Sequence, residues 1–188
     1  MDKESLGKAL LNAAYLEGDF ILRSGRRSKY YLDKYLFETD PQILRLLASH
    51  MAGVIRSVEA ERGVRYARIA APELGAVVLG AALSLQLNLP LLLVRKASKE
   101  YGTGKRLEGR FCSGEQVALV EDIVTSGGAA IEAAEVLREV GLKVAEIYCV
   151  VDREEGGRQA ASAAGFRLIS VFTASELGIR VGEPGPSS

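Results

Sequence analysis

The sequence predicts an α/β fold, a parallel sheet flanked by helices on both faces, with a small N-terminal cap, or hood. Three observations predict it. Short, near-continuous apolar runs alternate with stretches of helical period from about residue 64 onward, which is the pattern of parallel strands buried on both faces. The chain has 188 residues, 48% of them hydrophobic, enough for one domain with a real core. Residues 1–60 carry helical patterns and a basic cluster but little parallel-strand signal. The organisation expected is a single domain over residues 1–181. Residues 1–60 partly form the hood, and residues 64–175 form the core. Residues 182–188, GEPGPSS, have the composition of a disordered tail.

Each element has its own warrant. Residues 3–17 place Leu6, Leu10 and Ala13/Ala14 on one helical face. Residues 20–33 read as a short polar–apolar stretch. Asp40-Pro41 starts a second helix, since the acid can cap it and proline suits its first position. Ile43, Leu47, Met51, Val54, Ile55 and Val58 form its stripe, which ends before Gly63. A strand at 66–71 leads through a loop at 72–75 to a helix at 76–87. Asn88-Leu89-Pro90 makes a turn into a strand at 91–95, followed by a long polar loop at 96–108. A strand at 117–121 precedes a helix whose face is Ile131, Ala134, Val136, Leu137 and Val140. Gly141 sits at its C′ position. A strand at 143–151, a loop at 152–157, an alanine-rich helix ending at Gly165, a strand at 167–172 and a helical turn from Ala174 complete the series.

Composition narrows the function. No apolar run reaches the roughly 18 residues of a membrane span. Residues 1–4 lack a signal-peptide pattern. Cys112 and Cys149 form neither metal spacing nor a disulfide framework, as expected of idle thiols in a reducing cytoplasm. The sole histidine, His50, cannot build a triad or a histidine metal site alone. Lys plus Arg number 24 and Asp plus Glu 24, so there is no basic balance pointing to nucleic acid. The basic residues cluster at 23–29 and 95–106, which suits local anion sites.

The segment VALVEDIVTSGGAAIEAAEVLREVG, residues 117–141, reads as strand, loop and helix. Glu121 and Asp122 fall at the carboxyl end of the strand, where open α/β sheets bind ligands. Thr125, Ser126, Gly127, Gly128 and Ala129 offer backbone N–H groups and two hydroxyls before a helix N-terminus, an anion cradle suited to phosphate. It is neither a G-x-x-x-x-G-K-[ST] loop nor a G-x-G-x-x-G loop. Two carboxylates beside a phosphate are compatible when they face neutral hydroxyls of the same ligand. A ribose 2′,3′-diol on the acids and a 5-phosphate on the loop satisfy both halves.

All thirteen residues from Val117 to Ala129 resemble the phosphoribosyl-pyrophosphate (PRPP) signature of type I phosphoribosyltransferases. Three further segments narrow the resemblance. FILRSGRRSKYYLD (20–33) is similar to the N-terminal segment of orotate phosphoribosyltransferases. RKASKEYGTGKRLEG (95–109) is similar to their catalytic loop, and VDREEGG (151–157) to their D-R-x-x-G-G/R turn. The resemblance covers about residues 5–175. It implies transfer of the phosphoribosyl group from PRPP to orotate, giving orotidine 5′-monophosphate and pyrophosphate in pyrimidine synthesis. It also implies Mg²⁺ carried by PRPP without direct protein ligands, and a homodimer with shared sites, with no nucleic-acid or membrane partner.

Residue roles follow from the same resemblance. Lys99, Arg95 and Asp122 are the implied catalytic residues. PRPP would be held by Arg95, Lys96, Lys99, Tyr101, Glu121, Asp122 and the run Ile123, Val124, Thr125, Ser126, Gly127, Gly128 and Ala129. Lys99 would be the main loop cation on pyrophosphate, and the loop with Arg95 would reach the neighbouring subunit's site. Orotate would contact Thr125, Arg153, Arg23, Tyr30 and Tyr31, with Arg153 clamping its carboxylate. Chemically, departure of a multiply charged leaving group needs cations in place as the bond breaks, and Gly102 and Gly104 suit a loop that closes and excludes water. Three positions depart from the family. Arg23 replaces a more frequent lysine, and Tyr101 a frequent histidine. Leu74 stands in the pyrophosphate-loop slot where some members have a lysine. Two other readings share the fold: a PRPP- or nucleotide-binding transcriptional regulator, and a purine phosphoribosyltransferase.

Overall fold

The computed structural model describes residues 2–21, 27–96 and 106–179. The chain runs α1 (Lys3–Ala14), β1 (Tyr15–Ile21), β2 (Arg27–Leu32), α2 (Lys34–Glu38), α3 (Pro41–Arg62), β3 (Arg68–Pro72), α4 (Val77–Leu87), β4 (Leu91–Val94), β5 (Leu107–Glu108), β6 (Val117–Val124), α5 (Gly128–Glu139), β7 (Glu146–Asp152), α6 (Gly157–Ala163) and β8 (Arg167–Thr173). One sheet of six strands has the order β5-β4-β3-β6-β7-β8. It is parallel except at β5, which pairs antiparallel with β4.

Alternation along the central strand builds three layers. Ala118 and Val120 of β6 join α1, α3 and α4 in one core, with Leu47, Met51, Ile55 and Leu83 fully buried. Val117 and Leu119 join α5 and α6 in the other, around Leu137, Ile147 and Phe166. Successive strand residues point to opposite faces, so an unbroken apolar run feeds both cores. α3 is thus a core layer. The elements that reach the carboxyl edge of the sheet from the N-terminal part are β2 and α2, through Tyr30 and Lys34.

The capping expectation for α3 holds. The Asp40 side chain accepts from Gln42 N at 2.8 Å and Ile43 N at 3.0 Å, and Gly63 ends the helix with φ 64°. Several boundaries differ from expectation. α1 stops at Ala14, because Tyr15–Ile21 turns extended and pairs antiparallel with Arg27–Leu32. That hairpin is mostly exposed and its register shifts between Glu17 and Phe20, so no apolar alternation marks it. α2, five residues long, is too short to show a period. β6 continues to Val124, since Ile123 and Val124 pair with Val151 and Asp152 of β7. The acid pair therefore lies inside the last turns of a strand. β7 starts at Glu146, and Lys143 forms only an isolated bridge with Gln116. The tail at 182–188 lies outside the described residues.

Candidate active site

From β3 the chain winds outward through β4 and β5. From β6 it winds the opposite way through β7 and β8. The crevice between β3 and β6 is therefore the topological switch point, the usual ligand position in such sheets. The turn after β3, the acid pair of β6 and the loop after β6 all open there.

Asp122 is 4% exposed at its side chain and both its oxygens are engaged. Oδ1 accepts from Ile123 N, and Oδ2 accepts from Lys34 Nζ of α2, each at 2.5 Å. The cap made by Asp33, which accepts from Tyr35 N, fixes the start of α2 and so the origin of Lys34. Gly75, in the turn after β3, closes over this pair. A Cβ there would lie 1.9 Å from Asp122 Oδ2 and 2.1 Å from Lys34 Nζ, so glycine is required by close approach. Beside it, the Glu73–Leu74 peptide is cis.

Two more acids surround the ion pair. Glu121 is buried, and burial followed by the charge of Asp122 pushes its carboxyl up to about 8. Glu38, at the end of α2, is 1% exposed, and neither of its carboxyl oxygens has a hydrogen-bond partner. Burial, then the charge of Asp122, pushes it to about 8 as well. Among the described residues no cluster of acids, histidines or cysteines is placed to hold a metal ion.

The 125–129 loop, the expected phosphate cradle, is shaped by two glycines. Gly127 has φ +83° and caps α5, and its missing Cβ would meet Gly157 Cα at 3.2 Å. A Cβ on Gly157 would sit 2.5 Å from Thr125 O and 2.6 Å from Val124 Cγ1. The cradle therefore packs directly on the first turn of α6, while Thr125, Ser126, Gly128 and Ala129 face outward. Ile123 is partly buried beneath the loop and Val124 is core.

On the β7 side, Arg153 N donates to Val124 O at 2.8 Å. Arg153 is 7% exposed, and its guanidinium donates to Tyr30 Oη at 2.8 Å, pairs with Glu155 at 2.9 Å and lies 5.0 Å from the Tyr30 ring. Tyr15 stacks on Tyr30 at 5.7 Å. The structure thus brings Arg153 and Tyr30 together. Tyr31 points to the opposite face of β2 and contacts Phe20 at 5.6 Å.

On the β4 side, Lys96 is exposed, and its N–H donates to Glu73 Oε1 at 3.0 Å. Arg95 N donates to Arg106 O at 2.8 Å, while the Arg106 guanidinium bonds Lys96 O and Glu132. Arg23, Lys99 and Tyr101 lie outside the described residues. Lys34, Glu38 and Arg106 escape sequence reading. The only signal for the first two is their four-residue spacing after a capping Asp33, which marks one face of a short helix.

Residues 37–164 match the phosphoribosyl transferase domain family. The orotate phosphoribosyltransferase of Pyrococcus abyssi is 43% identical over 176 residues, covering 93% of this chain and 94% of that one. The chain belongs to the orotate phosphoribosyltransferase family. Two solved structures of similar proteins share its fold. The orotate phosphoribosyltransferase of Aeropyrum pernix aligns with TM-score 0.77 at 31% identity, over 92% of this chain and 96% of that one. The UMP synthase of Leishmania donovani aligns with TM-score 0.81 at 30% identity, over 94% of this chain but only 37% of that longer one. In this orotate phosphoribosyltransferase family member, the acid pair stands on β6 and Arg153 follows the neighbouring strand β7, its N–H held by Val124 O at the end of β6.

Proposed function

We propose that this chain transfers the 5-phosphoribosyl group of PRPP to orotate, giving orotidine 5′-monophosphate and pyrophosphate in de novo pyrimidine synthesis in the cytoplasm. One observation carries the reading. The β6 acids and the glycine cradle sit one loop away from a buried arginine that is packed on a tyrosine ring.

The roles follow from chemistry. Glu121 and Asp122 accept the ribose 2′- and 3′-hydroxyls. Backbone N–H groups of 125–129 take the 5-phosphate at the head of α5. Arg153 trades Glu155 for the orotate carboxylate, which a guanidinium can grip with two parallel bonds, while Tyr30 holds the plane of its fork. The C1′–oxygen bond to the diphosphate breaks, N1 of orotate bonds to C1′ in its place, and the N1 proton leaves with the departing pyrophosphate. Arg95, Lys96 and Lys99 offset the charge that accumulates on the leaving group. Mg²⁺ would come with PRPP rather than on protein ligands, and would add to the charge neutralisation that Arg95, Lys96 and Lys99 provide. In a homodimer with shared sites, Arg95 and Lys99 of one subunit would serve the other subunit's crevice.

The test is loss of orotate absorbance on mixing purified protein, Mg²⁺, PRPP and orotate, with Lys99→Ala alongside. The expected outcome is PRPP-dependent consumption that falls by about a hundredfold or more in the variant. No consumption with orotate, together with turnover of adenine, hypoxanthine or xanthine, would replace the base. PRPP binding without any turnover, with specific DNA retention, would replace the enzyme by a regulator.

A further inference from the structure

The Lys34–Asp122 pair poses a problem for any ribose ligand. Asp122 has one oxygen on Ile123 N and the other on Lys34, and Gly75 covers the pair from the β3 side. A diol that takes Oδ2 as acceptor competes with the ammonium for it. The displaced cation is 29% exposed, so it is already at the crevice. It has two possible partners within its swing: the carboxyl of Glu38, one helical turn along α2, and whatever charge the ligand itself carries.

Ligand geometry selects between them. With the diol on β6 and the 5-phosphate on the 125–129 loop toward β7 and α6, the substituent at C1′ opposite the base extends toward β3 and β4. That is where Lys96 and the exposed turn at Leu74 lie. Leu74 is 67% exposed and brings no charge to that turn. Lys34 Nζ stands at the same turn, against the missing Cβ of Gly75.

Resting on the phosphoribosyltransferase reading above, we propose that Lys34 is a diphosphate-binding cation of this site. The ribose diol displaces it from Asp122, and it moves onto the diphosphate oxygens beside Gly75, where the chain has no other side-chain cation on the β3 turn. Asp122 then serves two states in turn, holding Lys34 in the free protein and the diol in the complex. Glu38 stays buried and neutral behind the moving charge, which keeps it from capturing the ammonium. The raised carboxyl of Glu38 accords with this.

Calorimetry with inorganic pyrophosphate and with ribose 5-phosphate tests the assignment on the full chain, using Lys34→Met and Lys34→Arg. Loss of a charge-assisted contact should weaken pyrophosphate binding by about tenfold or more in Lys34→Met, with recovery in Lys34→Arg. Ribose 5-phosphate should bind as well or better, because Asp122 is released. Unchanged pyrophosphate affinity, or an equal loss for both ligands, would overturn the proposal and leave Lys34 a fixed neutraliser of Asp122. Wild-type protein gives a second readout that needs no variant. Acetylation of Lys34, followed by mass spectrometry, should accelerate with ribose 5-phosphate and slow with pyrophosphate, and no change with either ligand rejects the movement. Neither measurement uses orotate, so a failure of orotate turnover would fault the choice of base and leave the Lys34 result to stand or fall by itself.

Discussion

A carboxyl group sealed from water without a hydrogen-bond partner is tolerable only when it holds its proton. Glu38 is such a group, facing Asp122, Glu121 and Lys34, and its raised value near 8 sets a pH signature. A carboxyl whose folded value is raised binds protons more tightly than the unfolded chain does. Its contribution to stability is then complete below about 4.5 and is lost as the pH rises toward about 8. Glu121 shares that direction and window. The ligand-free protein should therefore melt at progressively lower temperature from pH 5 to pH 8. Glu38→Gln should flatten part of this slope, which differential scanning calorimetry across that range would show. The sequence makes Glu121, Asp122, the 125–129 loop and Arg153 legible because their chemistry is contiguous or stands in a recognisable turn. Lys34 and Glu38 are not legible, since Lys34 gains its meaning from a contact with Asp122, 88 residues away, and Glu38 from its burial beside that carboxylate's charge. Tyr30 and Tyr31 show a further limit: adjacent residues look equivalent in sequence, and the pleat sends them apart.

At the scale of elements, helices with a long stripe and a defined cap are the readable ones. α3 is the best case, 22 residues beginning at Asp40-Pro41 and closed by Gly63. Asp40→Ala removes acceptors for two N–H groups and should cost about 1 kcal/mol. A fall of about 2–4 °C in Tm with unchanged orotate turnover is the expected result, read by thermal unfolding beside the absorbance assay. The β1–β2 hairpin, α2 and β5 are unreadable for separate reasons. The β1 strand is mostly exposed and carries no apolar alternation, α2 spans little more than one turn, and β5 has two residues that exist as a strand only through β4. The end of β6 is set by β7, a neighbour that local period cannot reveal. Sequence pattern also cannot assign strand neighbours, so the order β5-β4-β3-β6-β7-β8, and with it the switch point, belongs to the structure.

For the whole molecule, the proposed shared-site dimer makes a quantitative prediction. Arg95 and Arg153 would serve one reaction from different subunits. Arg95→Ala and Arg153→Ala homodimers should each be nearly inactive. After subunit exchange, an equal mixture should recover about a quarter of wild-type activity, because half the dimers are mixed and each has one intact site. An absence of recovery, with mixed dimers verified by native mass spectrometry, would place both residues in one subunit's site. One feature of the assembled core reaches further. The 125–129 loop and the Arg153 turn touch through Gly127 and Gly157, and the Val124 carbonyl accepts from Arg153 N, so the two loops are packed backbone to backbone. The site is in effect a caliper with its jaws fixed. If the proposed roles hold, the span between the phosphate and the planar acid is set before any ligand arrives, and a nucleotide would be selected by its length as much as by its groups. A side chain added at Gly157 would reset that gauge for both ends at once.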